Sequence, residues 1–172
     1  MELLLNGKSL GRKRNVVDDP MQRNRIYWTD IPYQAGRIEA VAYRDGEKSP
    51  VARHHIETAG KFHRLQLTSD NSAWKADGMD LQHVKIEALD RKSRRVAGAD
   101  DLLIFSIEGP AEIVGVVNGD MSSDESMTGD SRSLYNGSAV VILRSRKEAG
   151  DVVLTVTPRH GKPVHHKMSV VD

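Results

Sequence analysis

Hydrophobic side chains recur at every second position along most of this chain, and turn residues interrupt the pattern roughly every 8–15 positions. A period of two puts neighbouring side chains on opposite faces of an extended strand, so each run can bury one face and leave the other wet. Ile38, Ala40 and Ala42 form one such set and stop at Asp45-Gly46; Leu65 with Leu67, then Val84, Ile86 and Ala88, form others. No stretch of about 12 residues holds the 3.6-residue period of an amphipathic helix. The spacing predicts an all-β chain of immunoglobulin-like antiparallel β-sandwich domains in tandem.

Placing the turns divides the chain near Gly60. Before it the pattern predicts about four or five strands: Leu3 to Leu5 ending at Asn6-Gly7, a run over 25–28, Arg37 to Tyr43, and Val51 to Ile56. After it about seven or eight are expected, enough for a whole sandwich. Residues 59–172 are therefore read as a complete domain. Residues 1–58 are read as the C-terminal part of a sandwich cut through its middle. Leu102 to Ile107 is nearly continuous apolar sequence, the pattern of a strand buried on both faces. Residues 120–133, rich in Ser, Asp, Met and Gly, read as a long loop.

The 25 basic and 24 acidic residues leave a net charge of +1, so no long-range field steers the chain to nucleic acid or an anionic membrane. The run Gly11-Arg12-Lys13-Arg14 reads as a solvated loop. The absence of cysteine excludes disulfides, thiolate metal sites and cysteine nucleophiles. No apolar run approaches the roughly 20 residues of a transmembrane helix. The opening Met1-Glu2-Leu3-Leu4-Leu5 is expected to enter a strand directly, without the regions of a signal peptide.

The acidic residues fall in turns, where carboxylates normally bond to their own backbone and stay solvated. The adjacent pairs His54-His55 and His165-His166 would point to opposite strand faces, so neither pair can chelate one ion, and one member of each is expected at the surface. Asn118, Asp120 and the acids that follow could supply oxygens to Ca²⁺, but they lack the EF-hand spacing. The favoured reading is that Asp120 caps a turn and pairs with Arg132, with Asn118, to pin the long loop. No catalytic residue, metal site or cofactor is assigned. Trp74 and Tyr135, near turns, are the candidate rings for a sugar-binding platform; Trp28, Tyr33 and Tyr43 read as core.

Several of these segments resemble one family. Glu2-Leu3-Leu4-Leu5-Asn6-Gly7-Lys8-Ser9-Leu10-Gly11 is similar to a strand-turn-strand of the family 2 β-galactosidases, and so is Ile31-Pro32-Tyr33 followed by residues 36–43. Thr58-Ala59-Gly60 resembles the junction before the family's last domain; Ala76-Asp77-Gly78, Phe105-Ser106-Ile107-Glu108-Gly109 and Val116-Val117-Asn118-Gly119-Asp120 resemble motifs within it. The departures are conservative: Met121 stands for a usual Pro, Met127 and Tyr135 for Phe, and Trp74 for a smaller apolar residue.

The resemblance implies the C-terminal, non-catalytic end of a longer glycosidase, with both catalytic glutamates on a barrel outside this sequence. It implies a periplasmic or secreted bacterial parent, whose catalytic and other domains would be the partners. A glycan ligand, and a homodimer formed through the truncated domain, are further expectations. A carbohydrate-binding module and an adhesion-type immunoglobulin-like domain are the alternatives.

Overall fold

Asn6 and Gly7 both take positive φ, 52° and 82°, as the two central residues of a type I′ hairpin must. That turn joins β1 (Glu2–Leu5) to β2 (Lys8–Arg12), and β1 pairs on its other side with β3 (Arg37–Tyr43), which pairs with β4 (Pro50–Glu57). The result is a four-stranded antiparallel sheet in the order β2-β1-β3-β4. It forms one compact unit, Met1–Thr58; Ala59–Asp172 is a second. The structure, a computed structural model, describes residues 1–172.

Register assigns the faces of the first sheet. Leu5, Ile38 and Ile56 are opposite one another, as are Leu3, Ala40 and His54. None of the apolar residues on that face is buried, and Ile56 is 64% exposed. The opposite face carries Val41, the unit's one buried apolar side chain, beside Glu2 and Glu39, which pair with Arg12, Arg37 and Arg53. All eight residues of β4 are exposed. Residues 25–28 are not a strand. They have the composition of one but no ladder partner, and the Tyr27 carbonyl instead accepts the Lys13 ammonium at 2.7 Å.

The second unit is a sandwich. One sheet runs β5-β7-β11-β9: Arg64–Ser69, Leu81–Leu89, Ser138–Ser145 and Ala111–Val117. The other runs β10-β8-β12-β13-β6: Ser131–Ser133, Leu102–Glu108, Gly150–Pro158, Val164–Val171 and Ala73–Lys75. Every pairing is antiparallel except β13 with β6. The inward positions of both sheets interdigitate as period-2 patterning demands. Val84, Ile86 and Ala88 of β7 meet Leu103, Leu154 and Val156 in one continuous core.

Three details depart from the sequence expectations. β6 and β10 have three residues each, too few to show a period. β8 alternates rather than burying both faces: Leu103 and Phe105 point inward, while Ile104 is 49% exposed. Trp74 is only 3% exposed, because the parallel ladder of β6 against Val170 carries it into the core.

Candidate functional site

The polar side chains of the second unit converge at the loop after β9. Arg132, on β10, is 1% exposed although it is a cation. Its Nη1 donates to the Glu125 carbonyl at 2.7 Å and its Nη2 to Asn118 Oδ1 at 2.9 Å. Its Nε lies 3.5 Å from Glu125 Oε2. Asn118 also donates to the Ser133 carbonyl at 2.8 Å, and Glu125 accepts from the Ser133 amide at 3.0 Å and from its hydroxyl. A buried guanidinium needs such partners: both terminal nitrogens of Arg132 are hydrogen-bonded, while its buried Nε makes no hydrogen bond and faces Glu125 only as an ion pair. Residues 118–133 are thus held by their own side chains and by the Met127 carbonyl, which accepts from the Val116 amide at 2.8 Å.

This cluster corrects one pairing. Asp120 does not bond Arg132; it accepts the Ser122 amide at 2.9 Å and the Ser122 hydroxyl at 2.7 Å, closing a local turn. Glu125, eight residues before Ser133, takes the ionic role instead. Nothing in the sequence spacing marks Glu125, because its contacts with Arg132 and Ser133 depend on how the loop between them folds back onto β10. Asp90 was likewise unmarked, although an aspartate at a strand end before a polar turn is an Asx-turn signal. Its buried carboxylate accepts amides of Gly60, Lys92 and Arg94 at 2.7–2.9 Å and the Arg94 guanidinium.

The carboxylates that depart from ordinary acidity all move the same way. Ser9 and Tyr43 hydrogen bonds lower Glu2, and the amides of Met79 and Asp80 lower Asp77. The Gly60 amide, with Arg94, holds Asp90 well below the usual carboxylate range. Ser122 lowers Asp120 and Ser133 lowers Glu125. A general acid for glycosidic cleavage needs a carboxyl raised by burial or a like charge. These groups are fixed as anions, suited to holding loops rather than donating protons.

The two candidate rings separate. Trp74 has no ring face open to a ligand in this chain. Tyr135 is 42% exposed at a second type I′ turn, where Asn136 and Gly137 take positive φ. Of the histidines, His54 and His55 are both exposed, contrary to the expectation of one. His165 is exposed and bonded to Thr155, whereas His166 is half-buried and its pKa is lowered by desolvation. His160 lies at the surface, 3.2 Å from Asp101.

Fold and polar groups together define an all-β region whose second unit is an immunoglobulin-like antiparallel sandwich with ionisable groups committed to its loops. Residues 65–165 match the family described as glycoside hydrolase family 2 C-terminal domain 5, and residues 1–49 match a domain of unknown function, DUF4982. The chain belongs to glycoside hydrolase family 2. Among curated relatives, it is 34% identical to the β-galactosidase BoGH2A of Bacteroides ovatus over 91% of this chain and 18% of that protein. A β-glucuronidase of Formosa agariphila is 30% identical over 99% of this chain and 16% of that protein. A solved family 2 member from Bacteroides cellulosilyticus superposes with a TM-score of 0.91 at 34% identity, covering 99% of this chain and 21% of that one. The chain thus spans 16–21% of the length of these relatives.

Proposed function

We propose that this chain is a non-catalytic C-terminal accessory region of a β-galactosidase-type family 2 glycoside hydrolase, supporting the catalytic part of the same polypeptide or its assembly. One observation carries this reading. The second unit closes a core of its own and matches the family 2 C-terminal domain 5 over residues 65–165, while the whole chain spans only 16–21% of the length of its family 2 relatives. The implied partners are the other domains of the parent chain.

Residues 1–58 fit the same reading as part of a domain whose remaining strands lie earlier in the parent. The apolar face of Leu3, Leu5, Ile38 and Ile56 flanks a groove formed with Ile31, Pro32 and Tyr33. A sheet with one open apolar face normally packs against a second sheet about 10 Å away. The occupant proposed here is that second sheet, contributed by upstream strands of the same polypeptide. The relatives have ample chain to supply it, since four-fifths of their length lies outside the match.

The test compares the purified 172-residue chain with a parent enzyme, intact and lacking this region, on an aryl β-galactoside. The isolated chain is expected to show no turnover and the shortened parent to lose stability or assembly. Turnover by the isolated chain would overturn the accessory reading.

A further inference from the structure

The charges of this chain balance as a whole but not locally. A cleft of about 800 Å³ in the first unit is lined by six cationic side chains, Arg12, Lys13, Arg14, Arg23, Arg25 and Arg44, against two acidic ones, Asp45 and Glu47. Three segments build it: the end of β2, the return of the following loop, and the β3–β4 turn. The loop is closed by its own bonds, with Asp19 accepting the Met21 amide at 2.8 Å and Asn15 donating to the Arg23 carbonyl at 3.0 Å. Arg12 is paired with Glu2 and Arg14 with Asp45. Arg23 and Arg44 are exposed and form no ion pair, and the Arg25 guanidinium bonds the Tyr27 hydroxyl at 3.2 Å. The walls therefore present guanidinium forks with unused donors.

We propose that this cleft binds an anionic carbohydrate through carboxylate or sulfate groups, which match the planar, bidentate guanidinium fork. The aromatic ring that lines the cleft, Tyr43, offers no open face to a nucleic-acid strand, whose bases would need one on which to stack. The Tyr43 ring is covered by Arg12, 4.0 Å from its centroid, and Lys13 sits over half-buried Trp28 at 5.7 Å. The cleft is independent of catalysis by the parent, so loss of one reading leaves the other standing.

Titration calorimetry and affinity electrophoresis of the full 172-residue chain test the proposal, with polygalacturonate, dextran sulfate, neutral galactan and single-stranded DNA as probes. Binding is expected to at least one of the two acidic polymers and to weaken steeply with salt; which one binds separates uronate from sulfate ester. Galactan should not bind. R23A/R44A should weaken binding at least tenfold with an unchanged circular dichroism spectrum, and R23K/R44K should restore it only in part. No binding to either acidic polymer, binding unaffected by R23A/R44A, or tighter binding to DNA at equal ionic strength would each overturn the proposal.

Discussion

The two units obey one patterning rule with opposite outcomes. In the first, the alternation of β1 and β3 produces a sheet whose apolar face stays open and whose one buried apolar residue is Val41. In the second, the same alternation in two facing sheets buries an apolar cluster running from Leu65 to Val170. Strand formation is a local matter of turns and period; burial requires a second layer. The difference shows that strand formation and the burial of an apolar face are separable, the first being met in both units and the second only in Ala59–Asp172.

Core truncation should separate the units most sharply. Leu154→Ala, at a fully buried position, is expected to destabilise the second unit by about 2–5 kcal/mol. Ile56→Ala, on the open face, should change stability by no more than about 0.5 kcal/mol. Trp28 lies in the first unit and Trp74 in the second, so urea unfolding followed by fluorescence in Trp28→Phe and Trp74→Phe backgrounds reads each unit separately. Equal losses at both sites would erase the contrast.

Arg132→Met comes next. Removing the buried cation leaves Glu125 and Asn118 without their central donor, at a cost of about 3 kcal/mol. Proteolysis within 120–130 should accelerate accordingly; an unchanged cleavage rate would show that the loop is held by other means.

Glycine substitutions probe turns in both units. At Gly137, with φ +71°, a Cβ would lie 2.3 Å from the Val96 carbonyl oxygen, and at Gly36, with φ +135°, 1.9 Å from Asn6 Oδ1. Each change to Ala is expected to cost about 1–3 kcal/mol. Gly36→Ala should be the milder, because a side-chain amide can move aside where a backbone carbonyl cannot. The reverse order in thermal melts would contradict this.

The smallest effect is a pH dependence that falls mainly on the second unit, which holds Asp77, Asp90, Asp120 and Glu125 below ordinary acidity, against Glu2 in the first. Asp90 is held below its unfolded acidity by the Gly60 amide and Arg94, so its contribution is fully present above about pH 4 and is lost as pH falls toward the folded value. Asp90→Asn should flatten the stability profile below about pH 4. His166, whose pKa is lowered by burial, adds a weaker loss that begins as pH drops below about 6.5. Profiles that coincide for the wild type and Asp90→Asn would remove the carboxylate from the account.

Much of this architecture could be read before folding. Asn6-Gly7 fixed the first hairpin because its turn demands those residues, and the period over Val84, Ile86 and Ala88 named their shared buried face. What escaped was non-local. Trp74 looked like a turn residue because the parallel pairing of β6 with the end of the chain leaves no trace in sequence. The run over 25–28 had strand composition but no neighbour to bond. Both Asp120 and Glu125 stand within reach of Arg132 along the chain, and only the path of the loop assigns the ion pair to Glu125 and leaves Asp120 to Ser122. Composition legibly balanced the charges of the chain but hid the cationic cleft assembled from three separate segments.

The accessory reading is tested most directly by native-state hydrogen exchange on this chain alone and within a longer family 2 parent. In the isolated chain, amides of β7, β8, β11 and β12 should exchange only through global unfolding of the second unit, while those of β3 and β4 exchange far faster; in the parent, β3 should become protected as its open face is covered. Equal protection of both units in the isolated chain, unchanged in the parent, would contradict it.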